Sequence, residues 1–510
     1  MKRLFFFFTT IILYLFMHIK TLLTFPYLHS DETWLGGLSL TYLDQKHPFI
    51  TEPFFDLFPR TPHLIKVFFH ALQSAFISLF GYSLFSLRFM SLLFGMLSLF
   101  FTYKLFNRLG LHKLHAFLGT MLLGLNIQFM YASHFARQEM ILFSVLIISY
   151  LLLTYTRKST YMLSAILIGL SVGFHPNAFI LAIMIGLCLF INIINKQIKI
   201  KDFILWVGIV GFTALIFPLI TLLQNPSFIV DYYTYGKTLS VDAPIIERFN
   251  NYIAFYQKIF LQVSGTYYIP NIRIFLISFP ILFLSSGITK TYHKIHWQHA
   301  VGMLIGFNLS LFVIGRFNTT SILFIFFPWI ILIVYEVIAI ARKIFKTTHQ
   351  KFWSVVVLFS FISLLSLYQF LQANQSMLPA NYSRYSVQIK ENLSKEGSIL
   401  GNLSSGFSFY DREFYDIRNL SYLEKGQLNT YIKKNNIKTI IYYEEYDYIH
   451  RNPMWNILYG SDSTYYDDLQ NILQDHGVLI HEFESPYYGT RIIRFMGDYP
   501  WKVQIYHLTY

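Results

Sequence analysis

The stretch from residue 139 to residue 195 decides the fold: EMILFSVLIISYLLLTYTRKSTYMLSAILIGLSVGFHPNAFILAIMIGLCLFINIIN. It contains three charged residues, which all stand at the ends of apolar runs: Glu139, Arg157 and Lys158. A helix of about 18 apolar residues is long enough to cross the hydrocarbon core of a bilayer. The stretch therefore predicts three consecutive membrane spans, and the last two form a short hairpin that turns at residues 175–177.

The same pattern continues through most of the chain. Of its 510 residues, 54% are hydrophobic and 13% are charged, whereas soluble domains contain about 25% charged residues. We therefore predict a polytopic α-helical membrane protein, and its eleven spans are about 4–23, 84–103, 114–131, 139–156, 160–174, 178–195, 203–223, 272–289, 299–315, 320–341 and 352–372. The first span is interpreted as an anchor and not as a signal peptide, because no small-residue cleavage site follows it.

The distribution of charge predicts the orientation in the membrane. If the N-terminus is cytoplasmic, the inner segments carry sixteen basic residues and one acidic residue, and the outer loops carry eight basic and nine acidic residues. Basic residues concentrate in cytoplasmic loops. We therefore predict a multi-pass protein of the plasma (inner) membrane with an extracytoplasmic C-terminal region. The net charge of +13 follows from this topology, so we predict no nucleic-acid partner.

Two domains are predicted. Residues 1–372 form the transmembrane domain, and its first outer loop, 24–83, contains an interfacial amphipathic helix over 64–80. Residues 373–510 have a mixed polar composition typical of a soluble α/β domain on the outer face. In this domain strands are predicted at 398–401, 438–443, 478–483 and 490–495, with helices around 382–394, 427–435 and 464–475. The charged segment 411–416 is predicted to be a solvated loop, with contact to the acceptor as the alternative.

Carboxylates, arginines and a histidine collect at the predicted outer face. They are Asp31, Glu32, Arg88, Arg137, Glu139, His175 and Arg316. A carboxylate can act as a general base, and an arginine can hold a phosphate through two hydrogen bonds. Each position also has a simpler explanation. Arg88 can be a helix-end residue that snorkels to the interface, and Asp31 and Glu32 can belong to a solvated loop or a helix N-cap.

The sequence does not favour a metal site. Its single cysteine, Cys188, lies in an apolar run, and there is no His-x-x-x-His spacing. Adjacent carboxylates such as Asp31 and Glu32 project in different directions, so they rarely bind one ion together. We expect no cofactor, and we do not predict a divalent metal.

Four sequence elements, in this order, resemble those of the C-type membrane glycosyltransferases, in the branch that holds the protein O-mannosyltransferases and the lipid A aminoarabinose transferase. The elements are an acidic pair in the first outer loop, Asp31-Glu32; a loose counterpart of a Lys-Pro-Pro-Leu motif, Arg60-Thr61-Pro62-His63-Leu64; a Gly-x6-Arg element, Gly81 to Arg88; and Arg137-Gln138-Glu139 before the fourth span. The resemblance covers residues 29 to about 156. The Lys-Pro-Pro departure leaves open how the phosphate is held.

The resemblance implies roles for these residues. Asp31 is expected to be the catalytic base, with Glu32 beside it and Glu139 as a second acidic catalytic group oriented by Arg137. The residues expected to bind substrate, mainly the carrier phosphate, are Arg60, His63, Arg88, Arg137, His175 and Arg316. The implied partners are a polyprenyl-phosphate sugar donor, an extracytoplasmic acceptor and the membrane lipid.

Three functions are compatible with this sequence. The first is an inverting glycosyltransferase that takes sugar from the lipid carrier and transfers it to a glycan, a lipid or a protein. The second is a transporter or flippase of lipid-linked sugars, but coupled transporters usually carry ionisable groups near the bilayer midplane. Here the charged residues inside predicted spans, Arg88 and Glu336, lie near span ends. The third is a non-catalytic scaffold for envelope assembly. The joint presence of Asp31, Arg88 and Glu139 favours the enzyme.

Overall fold

A computed structural model describes residues 2–58, 60–238, 242–263, 267–315, 317–409, 411–452, 464–490 and 499–509. Within the described residues the regular structure up to residue 377 is helical, and strands occur only beyond it. The helices of the first part are α1 Lys2–Thr21, α2 Ser30–Gln45, α3 Val67–Phe80, α4 Leu84–Arg108, α5 Lys113–Gly124, α6 Ile127–Ser133, α7 Glu139–Leu153, α8 Lys158–Leu170, α9 Ala178–Ile194, α10 Ile200–Gln224, α11 Phe228–Thr238, α12 Ile245–Leu261, α13 Arg273–Thr289, α14 Ile295–Ile314, α15 Phe326–Ile344 and α16 Thr348–Met377.

Each predicted span coincides with a helix or with two consecutive helices. By length and composition, five helical segments of the described chain can cross a membrane: Leu84–Arg108, Ile200–Gln224, Ile295–Ile314, Thr319–Ile344 and Thr348–Lys390. The pair α5 and α6, bent by 69°, makes a sixth if it is one span. Helices α7, α8, α9 and α13 are apolar but shorter. The helices are those of an integral membrane protein, and the number of eleven spans stays a prediction.

The helical bundle is held by close helix pairs. Helix α14 packs along α9, α10 along α8, and α4 along α7. Gly306 of α14 lies against the backbone of Met184 in α9, where a Cβ atom would come within 2.8 Å of its Cα. Small residues at such contacts let helix backbones approach closely inside a membrane.

Two helices lie between α1 and α4, within the predicted first outer loop. Helix α2 begins after His29, whose ring accepts a hydrogen bond from the backbone N–H of Asp31, while Glu32 accepts one from the backbone N–H of His29. This capping box satisfies backbone donors that a helix N-terminus otherwise leaves without partners. Helix α3 corresponds to the predicted interfacial helix and packs against α2. Its depth in the membrane stays a prediction.

The C-terminal part contains a mixed sheet with the strand order β2-β1-β3-β5-β4. Strands β1 and β2, and β1 and β3, pair in parallel, and β5 pairs antiparallel with both β3 and β4. The strands are β1 Ser398–Gly401, β2 Phe414–Asp416, β3 Ile437–Tyr443, β4 Gly477–Glu484 and β5 Lys502–Leu508, and the helices are α17 Tyr382–Lys390, α18 Leu428–Lys434, α19 Glu445–Arg451 and α20 Thr464–His476.

Most predicted elements of this part coincide with observed ones, and one prediction is wrong. The segment 411–416 is not only a solvated loop, because Phe414–Asp416 forms β2 and the Asp416 side chain is buried. The charged residues of this segment do not show the pattern of a strand. Strand β2 is stabilised by parallel pairing with the adjacent β1. The strand predicted at 490–495 lies, apart from residue 490, outside the described residues. That residues 373–510 form a separate extracytoplasmic domain stays a prediction.

Candidate functional site

The first turn of α2 sends two neighbouring carboxylates into different surroundings. The Asp31 side chain is 19% exposed, whereas the Glu32 side chain has no exposed surface. Successive residues of a helix point about 100° apart, so one carboxylate faces the surface of the site and the other faces the protein interior. They are therefore suited to different tasks.

Glu32 forms a buried, two-pronged ion pair with Arg88 of α4. Arg88 Nε donates to Glu32 Oε1 and Nη2 donates to Oε2, both at 2.8 Å. Arg88 Nη1 donates to the carbonyl oxygens of Leu22 and Pro26 at 2.8 and 3.0 Å, and the backbone N–H of Ala136 donates to Glu32 Oε1 at 3.0 Å. Arg88 thus does not snorkel to the surface; it joins the end of α1, the start of α2 and α4.

Asp31 lies in a cluster with Arg137 and Tyr267. Arg137 forms an ion pair with Asp31 Oδ2 and also donates to the Tyr267 oxygen. The Tyr267 hydroxyl donates to the same Asp31 oxygen at 2.6 Å, and its ring stacks on His29 with centroids 4.3 Å apart. Burial raises the pKa of Tyr267 above its usual value, so the phenol stays protonated at neutral pH and can donate.

Arg137 also holds the second predicted acid, Glu139, at the start of α7. Arg137 Nη2 lies 3.1 Å from Glu139 Oε1, and the hydroxyl of Thr320 donates to the same oxygen at 2.8 Å. The Glu139 side chain is 4% exposed. Arg137 is thus a bridge between the two carboxylates, and Asp31 is the more accessible one.

A second charged cluster occupies the irregular segment between α2 and α3. Arg60 pairs with Glu52, and its Nε donates to Glu52 Oε1 at 2.6 Å. The Arg60 guanidinium lies 4.5 Å from the ring centre of Trp34, whose indole N–H donates to Glu52 at 3.0 Å. This segment, and not only the helix termini, therefore supplies charged groups near α2.

Glu52 and Arg60 line an open cleft together with Leu38, Ile50, Thr61, His63, Ile65, Lys66 and His70. Asp31, Trp34 and Leu38 are spaced so that they share one face of α2. With a rise of 1.5 Å per residue, the cleft wall at Leu38 is about 10 Å along the helix from Asp31. The carboxylate and the cleft are therefore neighbours on one helix face.

The protonation of the cleft residues depends on their burial and on neighbouring charges. Burial raises the pKa of Glu52, but the charge and hydrogen bonds of Arg60 outweigh burial, so its pKa lies below the usual value. Burial, together with the charges of Lys66 and Arg60, lowers the pKa of His63 to about 4. At neutral pH the cleft thus contains one anionic carboxylate, two cations and a neutral His63.

Two predicted residues are not part of these clusters as described. His175 lies in the turn between α8 and α9, where its Nδ1 accepts from the backbone N–H of Asn177 at 3.0 Å. Arg316 lies outside the described residues. Within the described chain, no group of three or more His, Cys, Asp or Glu residues is arranged to hold a metal ion.

Sequence reasoning missed four side chains that contact the predicted acids and arginines: Trp34, Glu52, Tyr267 and Thr320. Trp34 lies three residues after Asp31, so helical spacing could have revealed it. Tyr267 lies 236 residues from Asp31, and the sequence offers no signal for such a contact.

Comparison with known proteins finds one family model and several solved structures that are similar to this chain. Residues 66–221 match the family model described as dolichyl-phosphate-mannose-protein mannosyltransferase. No curated protein matches the chain in sequence. ArnT from Cupriavidus metallidurans, solved bound to undecaprenyl phosphate and in the apo state, is similar in structure with a TM-score of 0.56 and 10% identity over 98% of each chain. The oligosaccharyltransferase AglB from Archaeoglobus fulgidus, in complex with an inhibitory peptide and a dolichol-phosphate, gives a TM-score of 0.48 and 10% identity over 94% of this chain and 73% of that chain.

The predicted resemblance to the C-type membrane glycosyltransferases is thereby confirmed. The family match includes Arg88, Arg137 and Glu139, and the structural likeness to ArnT covers 98% of the chain. At 10% identity this likeness concerns the fold.

Proposed function

We propose that this protein is an inverting glycosyltransferase that transfers a sugar from a polyprenyl-phosphate carrier to an extracytoplasmic acceptor, which is a glycan, a lipid or a protein. The observation that carries the proposal is the position of Asp31. This partly exposed carboxylate shares one face of α2 with a cleft that contains Arg60 and Lys66. A general base beside cationic groups suits the displacement of a phosphate leaving group.

The three predicted catalytic acids have different roles in this proposal. Asp31 is the base, because Glu32 and Glu139 have almost no exposed surface. Glu32 orients the first turn of α2 through Arg88 and the capping box. Glu139 fixes Arg137, which holds the Asp31 carboxylate. Arg88 is then a positioning residue and not a direct ligand of phosphate.

The donor phosphate binds in the cleft. Arg60 and Lys66 supply positive charge there, and arginine can hold two phosphate oxygens at once. His63 is neutral at physiological pH, so it takes part as a hydrogen-bonding group and not as a cation. The similar ArnT structure was solved with undecaprenyl phosphate bound, which supports a lipid phosphate as the carrier. His175 and Arg316 keep their predicted roles as substrate-binding residues.

The reaction is a single displacement at the anomeric carbon. The acceptor's O–H or N–H proton passes to Asp31 as its oxygen or nitrogen bonds to the sugar carbon. The bond from that carbon to the phosphate oxygen breaks, and the electron pair leaves with the polyprenyl phosphate. Attack opposite the leaving group inverts the anomeric configuration. Cationic side chains stabilise the negative charge on the departing phosphate.

In this proposal the site faces away from the cytoplasm of the plasma (inner) membrane. The N-terminus is cytoplasmic, eleven spans cross the bilayer, and residues 373–510 form an extracytoplasmic domain next to the site. One observation supports the orientation: basic residues prevail in the predicted inner segments. The contacts of Asn419 and Tyr431 with the segment that carries Arg60 support a position of the C-terminal part next to the site.

The test is transfer by purified, reconstituted protein from a panel of radiolabelled polyprenyl-phosphate sugars, with membrane extract as the acceptor source. Asp31→Asn should lower the release of label by about 100-fold or more, because it removes the base. Asp44→Asn is the matched control, since Asp44 is an exposed carboxylate at the other end of α2. Asp31-dependent release from one donor supports the proposal and identifies the sugar. No release from any donor, or full activity of Asp31→Asn with folded protein, contradicts it.

A further inference from the structure

The segment between α2 and α3, residues 46–66, carries the charged groups of the cleft. It forms neither helix nor strand in its described residues, which exclude residue 59. Backbone groups of such a segment need hydrogen-bond partners from elsewhere. Several of these partners come from the C-terminal sheet and the turns beside it.

The closest attachment is at Phe54 and Leu57. The carbonyl oxygen of Phe54 accepts from the backbone N–H of Asp416 at 3.0 Å and from Asn419 Nδ2 at 2.8 Å. The backbone N–H of Leu57 donates to Asn419 Oδ1 at 3.4 Å. Asn419 is fully buried and serves both a donor and an acceptor of the segment, as a neighbouring strand would.

Two aromatic side chains add further attachments to the same segment. The Tyr431 hydroxyl donates to Asp56 Oδ1 at 2.8 Å. The ring of Tyr422 stacks on Phe58, with centroids 4.3 Å apart and an angle of 18° between the rings. The contacts therefore extend along residues 54–58, and Arg60 follows two residues after Phe58.

A chain of charged and aromatic contacts continues from the sheet to the cleft. Arg418 Nε donates to buried Asp416 at 2.7 Å, and the Arg418 guanidinium lies 4.6 Å from the ring centre of Phe55 and 5.8 Å from that of Trp34. Trp34 in turn contacts Arg60. Cation–π contacts of this kind are attractive, so together they can select one arrangement of the segment.

We propose that the C-terminal part, beside its sheet, contributes to the donor site, with Asn419 and Tyr431 as positioning residues that hold the 46–66 segment, and hence Arg60, in the arrangement that binds the carrier phosphate. This rests on the proposed function only for the identity of the donor. The dependence of the segment's arrangement on Asn419 and Tyr431 does not rest on the proposed function.

The test compares three variants of the full-length protein in lipid nanodiscs. Asn419→Ala removes two hydrogen bonds to the segment. Tyr431→Phe removes one and keeps the buried ring. Asn392→Ala is the control, because the Asn392 side chain bonds only to the carbonyl oxygen of Gln388 within the C-terminal part. The measurements are amide hydrogen exchange of residues 50–61, the affinity for undecaprenyl phosphate, and the donor KM and kcat.

For Asn419→Ala we expect exchange over residues 50–61 to rise about tenfold, the affinity for undecaprenyl phosphate to fall about three- to tenfold and the donor KM to rise equally, with kcat nearly unchanged. Tyr431→Phe should show smaller changes of the same kind, and Asn392→Ala should show none. Unchanged exchange in both variants overturns the inference, as does faster exchange with unchanged affinity. If the wild-type protein binds undecaprenyl phosphate but transfers no sugar, the proposed enzyme activity fails while exchange and affinity still decide this inference.

Discussion

At the residue scale, two adjacent carboxylates of similar chemistry have different surroundings. Asp31 meets Arg137 and Tyr267 near the surface, whereas Glu32 and Arg88 form a pair without any exposed surface. Breaking such a buried pair leaves an uncompensated charge, which costs far more than the pair itself contributes. Arg88 is therefore expected to act through stability and geometry.

The residue-scale prediction is that Arg88→Met destabilises the protein by about 3–5 kcal/mol, because it leaves Glu32 buried without its partner. The double variant Arg88→Met with Glu32→Met should recover a large part of this loss. The measurement is the denaturation of purified protein in detergent, with all variants compared as a double-mutant cycle. Stability close to that of the wild type, together with a raised donor KM, would instead mean that Arg88 binds the phosphate directly.

At the element scale, the closest approach of the α14 backbone to that of α9 is at Gly306, and Gly302 also lies against α9. A Cβ atom on Gly306 would lie 2.8 Å from the Cα and 3.1 Å from the backbone nitrogen of Met184. A backbone cannot move aside as the end of a flexible side chain can. The two helices must therefore separate if residue 306 has any side chain.

We expect Gly306→Ala to lower stability by about 1–3 kcal/mol through this overpacking. Gly211→Ala in α10 is the matched control, since no atom lies within 4 Å of its added methyl group. Alanine favours a helix over glycine by up to about 1 kcal/mol, so this control should be neutral or stabilising. Thermal unfolding of the two variants in one detergent measures the difference. Equal unfolding temperatures would contradict the close contact.

At the scale of the whole molecule, the excess of basic residues on one side predicts the topology, which cysteine labelling can test. The single native cysteine, Cys188, has no exposed surface and gives little background. In intact cells a membrane-impermeant maleimide should label Lys425→Cys but should label Lys199→Cys only after permeabilisation, because both lysines are exposed and lie on opposite predicted sides. The reverse pattern would contradict the orientation, and labelling of both in intact cells would place residue 199 outside.

The sequence by itself determined the membrane character and the positions of the apolar helices, and it predicted Asp31, Glu32, Arg88, Arg137 and Glu139 as candidate site residues. These follow from local properties. A bilayer requires long apolar runs, and the order of the motifs at Asp31, Arg88 and Arg137 is visible in one dimension. It also indicated three of the five strands, since β1, β3 and β4 contain apolar residues at strand spacing.

Only the tertiary structure decided which of these residues are buried, which are accessible and which contact one another. The pairing of Glu32 with Arg88, the hydroxyl of Tyr267 on Asp31, and the attachment of the 46–66 segment to Asn419 all join residues far apart in the chain. Burial and long-range hydrogen bonds determine which carboxylate remains accessible, and neither residue type nor spacing encodes them locally. For the same reason the short strand β2 was missed, because it is stabilised by its neighbour β1 and not by its own composition.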